Sequence, residues 1–453
     1  MFSVRTLIQS TKGTLLSDAG VNCISGVSID TRTLKKGDLY IAIKGASLDG
    51  HRFIPQAIRC GAKVLMVSKK IKVPSTVTVI QVKDTTQALG HIAAVHRQRF
   101  NIPVIAITGS VGKTTTKELL ASVLKTQYRV LKNEKSFNNQ FGVPLTLLQM
   151  REHHNIVVLE CGTNQPNDMK WLGTIAQPTT VIFLNIGESH LEGLKNCRGV
   201  FQEKMTLLKN CAPKGHCIFN ADDPYLSRLI NKKITQKKIS FSIKAAANVK
   251  ATNVTRNKRG GFSFKVRNKQ YQFKSPSVDH LANALAAISC GDLYNISYTN
   301  INKNLSVGVK APGRMQVFPV KQGFVIDDTY NANPMSLKSA IHVLDQFEAS
   351  GSKILCVADM LELGPHAQQL HEEIGDMCVR SSINTVISFG TQARWVTERI
   401  KALKAPINVF HYKTQAGVSG RVKKCWQKDS VALVKGSRGM HMERVVERVL
   451  RSC

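Results

Sequence analysis

The 453-residue sequence lacks any apolar run near the roughly 18 residues that a membrane-spanning helix needs. Its apolar runs, such as Ile156–Leu159 and Val181–Leu184, have the length of strands. The opening residues contain no continuous apolar segment of the kind found in secretory signals. We therefore expect a cytoplasmic protein that does not insert into a membrane.

Closely spaced cysteines are also lacking. The eleven cysteines are scattered singly, with no CxxC pair and no spacing typical of zinc ligands. In a chain long enough to bury a large core, such cysteines indicate reduced thiols, and Cys356 falls within the apolar run KILCVAD. The sequence thus predicts neither a disulfide scaffold nor a structural zinc.

Aromatic residues make up only 6% of the chain, and acidic residues are few, 30 against 63 basic ones, which gives a formal net charge of +33. A strongly basic chain can attract nucleic acid or phosphorylated small molecules. The basic residues are dispersed, however, and they do not alternate with aromatic residues as in a base-stacking surface. We predict no nucleic-acid partner and interpret the charge mainly as a solvated, lysine-rich surface.

Three regions differ in their hydrophobic pattern, and together they predict an α/β protein of three domains. Residues 1–84 carry short strand-like pieces and indicate a mixed α/β domain. Residues 85–310 alternate continuous apolar runs with amphipathic stretches, which is typical of a parallel sheet covered on both faces. Residues 311–453 restart that alternation and predict a Rossmann-like domain.

Within the middle region we expect a helix over Thr86–Phe100 and another over Lys113–Lys125. The predicted core strands are 104–108, 156–160, 180–186 and 216–221. A basic, glycine-containing pattern at 249–276 breaks the rhythm and predicts a β-hairpin around Arg259-Gly260-Gly261.

The strongest local motif is TGSVGKTT at 108–115, between an apolar run and an amphipathic helix. Backbone N–H groups of such a turn, with the positive end of the helix, bind phosphates. Lys113 is expected to reach the β- and γ-phosphates of ATP, and Thr114 to place its hydroxyl on Mg²⁺. The predicted loop consists of Gly109, Ser110, Val111, Gly112, Lys113, Thr114 and Thr115.

This loop is shorter than the general GxxxxGK[ST] pattern, because Ile107 stands where the first glycine belongs. The difference argues against motors, GTPases and helicases. It favours the TGTxGK[ST] variant of ATP-dependent ligases that form amide bonds.

Two further polar residues follow neighbouring core strands. Glu160 ends the run IVVLE, and His190 follows the run at 180–186. Each alone is consistent with a solvent-facing acid or a helix-capping histidine. Because parallel strands end at one edge of a sheet, the two residues together favour a metal-centred site near the phosphate loop.

The segment Asp327–Ser336, DDTYNANPMS, resembles the signature of the Mur ligases, and within that family its MurF-type members. The resemblance covers about residues 27–446. Further matching motifs, in chain order, are SIDTRTLKKGDLYIAIKG (28–45), DGHRFI (49–54), FNNQFGVPLTLL (137–148), HLEGL (190–194), FNADD (219–223), NALAA (283–287), PGRM (312–315), ADMLELG (358–364), HEEIG (371–375) and VKGSRGMHMERVV (434–446).

The resemblance implies a step of peptidoglycan precursor synthesis that needs ATP and Mg²⁺. UDP-MurNAc-tripeptide would be activated as an acyl phosphate and then joined to D-alanyl-D-alanine. Diaminopimelate and lysine both fit as the third residue of the tripeptide. A monomer is the family's expectation.

The resemblance also implies roles for individual residues. The implied catalytic residues are Lys113, Glu160, His190, Lys204 and Arg314. The implied metal ligands are Thr114, Glu160, His190 and Lys204, the last after carbamylation. Nucleotide contacts beyond the loop would be Asn283, Arg314, Asp328 and Tyr330. Substrate contacts would be Asp30, Thr31, Arg32, Asn138, Asn139, Asn331, Asn333, Lys435, Ser437 and Arg438.

The sequence departs from the family's pattern at several positions, of which two affect assigned roles. Glu203 and Lys204 replace the usual AKxE context, so the acid that supports a carbamate is not matched. His280 is shifted by one position relative to the common His-Asn pair. One alternative is another Mur-type or folylpolyglutamate-type ligase, and the motif DDTYNANP argues against it. The other alternative is a nucleic-acid-dependent P-loop ATPase, which only the net charge suggests.

Overall fold

The structure, a computed structural model, describes residues 2–45, 48–257, 261–309 and 311–451. No helix in these ranges is both long and apolar enough to cross a bilayer. The ten cysteines that the structure describes are free thiols, as predicted, while Cys453 lies outside the described residues.

The N-terminal region contains a five-stranded sheet and a small two-stranded one. The five-stranded sheet has the order β2-β7-β6-β5-β4 and is parallel except for β2, while β1 and β3 pair antiparallel. The elements of this region are β1 (Phe2–Ser3), α1 (Val4–Thr11), β2 (Thr14–Ser17), β3 (Cys23–Ile24), β4 (Val27–Ser28), β5 (Leu39–Ile41), α2 (Ile54–Arg59), β6 (Val64–Val67) and β7 (Thr78–Gln81). The helix α3 (Thr85–Gln98) then connects this region to the middle one.

The middle region is built on a nine-stranded sheet of order β16-β15-β14-β13-β12-β11-β8-β10-β9. Its strands are parallel from β9 to β14. The elements are β8 (Val104–Thr108), α4 (Lys113–Leu124), β9 (Val130–Lys132), α5 (Gly142–Leu147), β10 (Ile156–Glu160), α6 (Asp168–Ala176), β11 (Thr180–Phe183), α7 (Leu191–Leu194), α8 (Cys197–Lys209), β12 (His216–Asn220), β13 (Lys237–Ser242), β14 (Val249–Asn257), β15 (Gly261–Val266), β16 (Lys269–Phe273), α9 (Leu281–Leu293) and α10 (Tyr298–Val307).

The central strand β8 explains why this part of the chain has continuous apolar runs. Val104 and Ala106 pack in the hydrophobic cluster that contains the buried faces of α3 and α6. Ile105 and Ile107 point to the other face and pack with α4 and α9. Because alternate side chains of a strand face opposite ways, a sheet with helices on both sides needs apolar residues at every position.

The hairpin predicted within 249–276 was confirmed, since β14 and β15 pair antiparallel with Asn257 opposite Gly261. A third antiparallel strand, β16, was not predicted, and the three strands extend the sheet at its edge. The turn between β15 and β16 contains Arg267 with φ of 52°, a conformation that usually falls to glycine or asparagine, so the sequence carries little signal for this turn. Arg259 and Gly260, around which the hairpin was predicted, lie outside the described residues.

The C-terminal region is a six-stranded sheet of order β17-β18-β22-β19-β20-β21, parallel except for β17. The edge strand β17 was not predicted; it contains Pro319, which only an edge strand tolerates. The elements are β17 (Gln316–Val320), β18 (Gly323–Asp328), α11 (Pro334–Asp345), β19 (Lys353–Ala358), α12 (Ala367–Val379), β20 (Thr385–Phe389), α13 (Arg394–Ala402), β21 (Asn408–Tyr412), α14 (Gln415–Cys425), β22 (Ser430–Lys435) and α15 (Glu443–Leu450).

Candidate active site

A cavity of about 950 Å³ lies where the carboxyl ends of the middle and C-terminal sheets face each other. Open α/β sheets bind ligands at such strand ends. Predicted residues that line the cavity are Ser110, Val111, Gly112, Lys113, Thr115, Asn138, Glu160, His190, Asn283, Arg314, Asp328, Tyr330, Asn331, Asn333, Lys435, Ser437 and Arg438. Most of the predicted site is therefore brought together.

The phosphate loop follows β8, whose neighbours in the sheet are β10 and β11. Gly112 has φ of 84°, and a Cβ there would lie 2.4 Å from Oδ1 of Asn283, so this position requires glycine. The side-chain oxygen of Asn185 accepts a hydrogen bond from the Val111 N–H at 2.9 Å. Ser110 Oγ accepts another from the Gly187 N–H at 2.9 Å. The chain after β11 thus fixes the shape of the loop.

Lys113 opens α4 and folds back over the loop. Its Nζ donates to the carbonyl oxygens of Gly109 at 2.8 Å and Ser110 at 3.4 Å. Burial lowers the pKa of the Lys113 amine, while the charge of Glu160 opposes that effect. The amine is therefore held in the loop by weak carbonyl partners, which a phosphate would outcompete.

Glu160 lies at the end of β10 and is almost fully buried, with 1% of its surface exposed. Its Oε2 accepts a hydrogen bond from Thr114 Oγ1 at 2.8 Å, and its Oε1 accepts one from Asn138 Nδ2 at 2.7 Å. The ammonium of Lys117, which is also fully buried, lies 3.8 Å from Oε2. Oxygen atoms of a carboxylate and a hydroxyl thus converge beside the phosphate loop.

Arg314 connects the two sheets. Its Nη2 donates to Thr114 Oγ1 at 2.9 Å and to Ser136 Oγ at 3.4 Å. The Tyr330 ring stacks under the Arg314 guanidinium at 4.0 Å and also faces the Arg438 guanidinium at 5.7 Å. Such cation–π contacts hold the planar groups in fixed orientations.

Asp328 and Lys435 lie opposite each other at the ends of β18 and β22. Lys435 Nζ forms a direct ion pair with Asp328 Oδ2 and donates to the Asn331 carbonyl at 3.0 Å. Asp328 Oδ1 accepts from the Met315 N–H at 3.0 Å. These bonds join the motifs PGRM, DDTYNANP and VKGSRG at the carboxyl edge of the C-terminal sheet.

His190 lies on the cavity wall with a left-handed backbone, φ 54°. Its Nδ1 is 2.5 Å from Oε2 of Glu362, a residue of the loop that follows β19 in the C-terminal sheet. This hydrogen bond lowers the pKa of the Glu362 carboxyl. The predicted metal ligand therefore has a carboxylate partner that the motifs did not reveal.

Lys204 is 1% exposed and is not among the residues that line the cavity. Burial, followed by the positive charge of Lys113, lowers the pKa of its amine well below the ordinary lysine value. The neighbouring Glu203 accepts hydrogen bonds from the Asn167 N–H at 2.9 Å and the Met169 N–H at 2.8 Å, and so fixes the start of α6.

Several predicted residues lie elsewhere or serve the fold. Asp30 and Arg32 pair with each other, the Arg32 side chain being 84% exposed, and neither they nor Thr31 line the cavity. The Asn139 side chain accepts hydrogen bonds at the start of α5 and lies outside the lining. Asn333 forms a capping box at the start of α11, although it also faces the cavity.

Sequence reasoning missed Lys117, Asn185 and Glu362. Lys117 follows Lys113 by one helical turn, and that spacing alone could have identified it. Asn185 follows β11, where polar strand-end residues are expected to reach the site. Glu362 belongs to the matching motif ADMLELG, but nothing local marks its partner.

Comparison with known families gives three matches in chain order. Residues 23–97 match the profile "Mur ligase family, catalytic domain", residues 107–291 the "Mur ligase middle domain", and residues 313–438 the "Mur ligase, glutamate ligase domain".

Full-length relatives are similar throughout. UDP-N-acetylmuramoyl-tripeptide–D-alanyl-D-alanine ligase of Bacillus subtilis is 33% identical, with 99% of this chain and 98% of the relative covered. The Escherichia coli ligase of the same name is 31% identical, with 93% of each chain covered. A crystal structure of MurF from Acinetobacter baumannii superposes with a TM-score of 0.91 at 28% identity, covering 99% of both chains. The chain belongs to the Mur ligase family, among its MurF-type members.

Proposed function

We propose that this chain is an ATP-dependent amide ligase that joins D-alanyl-D-alanine to UDP-N-acetylmuramoyl-tripeptide for peptidoglycan synthesis. The observation that carries the proposal is the contact of Arg314 with Thr114, which brings the phosphate loop against the DDTYNANP edge around one cavity. The names of the similar ligases supply the substrates. A MurF ligase from Thermotoga maritima, 25% identical with a TM-score of 0.83, has been solved with ADP, which supports the nucleotide.

The chemistry requires two displacements at adjacent centres. A carboxylate oxygen of the tripeptide attacks the γ-phosphorus of ATP, and the bond from that phosphorus to the bridging oxygen breaks to release ADP. The amine of D-alanyl-D-alanine then attacks the acyl carbon, loses a proton, and phosphate leaves. Lys113, the loop N–H groups and Arg314 would hold the phosphoryl oxygens and neutralise their charge.

The residues present fit a magnesium ion. Magnesium prefers oxygen ligands and keeps several waters and substrate phosphates. Thr114 Oγ1 and Glu160 Oε2 are 2.8 Å apart in a buried position that otherwise depends on Lys117 for its charge balance. We assign Thr114 and Glu160 as protein ligands because of this contact, and His190 and carbamylated Lys204 as the further ligands that the family resemblance implies. Magnesium bound there would neutralise the charge of the transferring phosphoryl group.

Carbamylation of Lys204 is part of the proposal. A lowered pKa leaves the amine unprotonated more often, and only the free amine can attack CO₂. The nitrogen–carbon bond forms, a proton is lost, and the buried neutral amine becomes an anion near the positive Lys113. The depressed pKa and the neighbouring charge both favour that change.

We further propose that residues 1–84 bind the UDP-sugar end of the substrate, 85–310 bind ATP and 311–453 bind D-alanyl-D-alanine. The packing of α3 against α5 and α6 supports a boundary before Thr85. We propose a monomer that works in the cytoplasm, where its free thiols would stay reduced.

The test supplies ATP, Mg²⁺, D-alanyl-D-alanine and UDP-MurNAc-tripeptides that end in diaminopimelate or in lysine. We expect one phosphate per pentapeptide, with the product identified by mass. Lys113→Ala should abolish product, while Lys125→Ala, an exposed lysine at the end of the same helix, should not. Phosphate release without pentapeptide, or independent of D-alanyl-D-alanine, would reject the proposal.

A further inference from the structure

The loop after β19 docks on the segment that carries His190. The N–H of Glu192 donates to the Glu362 carbonyl at 3.1 Å, in addition to the side-chain contact between His190 and Glu362. A Cβ on Gly364 would lie 3.5 Å from the Glu192 Cα, so the two backbones are in close contact. The contact joins the middle sheet to the C-terminal sheet beside the cavity.

Both partners have unusual backbones. His190 has φ of 54° and Glu362 has φ of 63°, in the left-handed region that residues other than glycine rarely occupy. Such conformations cost free energy, and they persist where surrounding contacts hold them, often at functional sites. Here each strained residue contributes one side chain to a single hydrogen bond on the cavity wall.

The hydrogen bond decides which imidazole nitrogen remains available. An ionised carboxylate can only accept, so Nδ1 of His190 must carry the proton that it donates to Glu362. In the neutral ring, Nε2 then has a free lone pair. Within the described ranges no side chain or backbone group hydrogen bonds to Nε2.

We propose that Glu362 is a positioning residue that fixes the tautomer and orientation of His190, so that Nε2 is presented to the reacting groups in the cavity. The proposal rests on the proposed ligase function. A carboxylate behind a functional histidine is a general way to orient its ring and set its tautomer. Here the carboxylate belongs to the C-terminal region, whereas the histidine belongs to the middle region on the opposite side of the cavity.

Substituting the side chain isolates this role, because the bond from Glu192 N–H to the Glu362 carbonyl uses only backbone atoms. Glu362→Ala removes the imidazole's partner and leaves the docking bond. Glu362→Gln keeps an oxygen that can accept from Nδ1. Glu372→Ala, a partly exposed acid on α12 that does not line the cavity, is the control.

The first readout is the ¹⁵N spectrum of the histidine rings at pH 8, where a free imidazole is neutral. His190→Gln assigns the His190 signal. We expect the Nδ1–H tautomer in the unmodified protein and in Glu362→Gln, and a shift toward the Nε2–H form in Glu362→Ala. This measurement needs no turnover. If the unmodified protein made no pentapeptide, the proposed function would fail while the spectrum still decided the role of Glu362.

The second readout is steady-state ligation. Loss of a residue that orients a functional ligand typically costs about 10- to 100-fold, and we expect that loss in kcat of Glu362→Ala, with a much smaller change in KM. Glu362→Gln should retain most of the activity. An unchanged tautomer in Glu362→Ala, activity equal to Glu372→Ala, or an equal loss in the alanine and glutamine variants would overturn the proposal.

Discussion

Each parallel sheet places a buried lysine beside a carboxylate at its carboxyl edge, but the two pairs differ in construction. In the C-terminal sheet, Lys435 bonds directly to Asp328 across adjacent strands. In the middle sheet, Lys117 stays 3.8 Å from Glu160, whose oxygens are taken by Thr114 and Asn138. We call the first pair closed, because its two charges contact each other directly, and it holds three motifs together. We call the second pair open, because the Glu160 carboxylate is hydrogen bonded to neutral groups, which a bound cation can replace.

Glu160→Gln gives the largest expected effect and tests the open pair directly. The amide keeps the shape, and Lys117 retains the Glu118 carboxylate 3.3 Å away, but the charge that we assign to metal binding is lost. Ligation should therefore fall by about 10³-fold, the scale of a lost electrostatic group in a catalytic site. Activity should be measured over a Mg²⁺ titration, with the exposed Glu152→Gln as the control. Acyl-phosphate formation near the normal rate would contradict the assigned role.

Lys435→Met tests the closed pair. Removing one member of a buried ion pair leaves the other charge uncompensated, which typically costs about 3–5 kcal/mol in the free energy of unfolding. Urea unfolding should show that loss, and Lys424→Met, an exposed lysine on α14, should show almost none.

The double variant Asp328→Asn with Lys435→Met should recover part of the stability, because no buried charge remains. Equal stability of the single and double variants would mean that Asp328 is solvated or paired otherwise. The comparison between a closed and an open pair would then fail.

The main core strands, the phosphate loop and the positions of Glu160 and His190 could be predicted from the sequence. Continuous apolar runs specify a sheet buried on both faces, and strand order does not change which residues end the strands. The partners of those residues could not be predicted. Glu362 reaches His190, and Arg314 reaches Thr114, only because the carboxyl ends of two separate sheets face each other. No local pattern encodes that packing.

A residue that caps a helix shows a second way in which the structure differs from the sequence-based prediction. Asn333 was expected to contact substrate, and in the structure its side chain caps α11. Asparagine is favoured at helix starts because its side chain accepts a hydrogen bond from a backbone N–H of the first turn. An asparagine before a proline in a motif can therefore cap a helix or bind substrate, and sequence alone does not decide between the two roles.

Lys204→Ala should lower ligation by about 100-fold if a carbamate supplies an anion to the site, a magnitude typical of one lost group that supports a metal. Added formate or acetate should restore part of the activity by occupying the vacated space. Lys209→Ala, an exposed lysine on the same helix, is the control.

An independent check uses ¹³C-bicarbonate, which should give a carbamate carbon signal in the unmodified protein that is missing in Lys204→Ala. Absence of both rescue and signal would remove the carbamate, and Lys204 would then be a buried structural lysine.

The smallest effect is expected for a partly exposed pair in the N-terminal region, Asp49 with Lys69, whose side-chain atoms are 2.9 Å apart. Hydrogen bonds from Lys69 and His51 lower the pKa of Asp49. A carboxyl whose folded-state pKa is depressed stabilises the protein above its unfolded value near 3.8, and that contribution disappears as the pH falls through the folded-state pKa. Asp49→Asn should therefore reduce the urea midpoint slightly at pH 6, and the difference should vanish at strongly acid pH and shrink in high salt.

Asp18→Asn, which changes an exposed acid, serves as the control. A loss for Asp49→Asn as large as that of Lys435→Met would show that exposure does not separate the weak pair from the strong one.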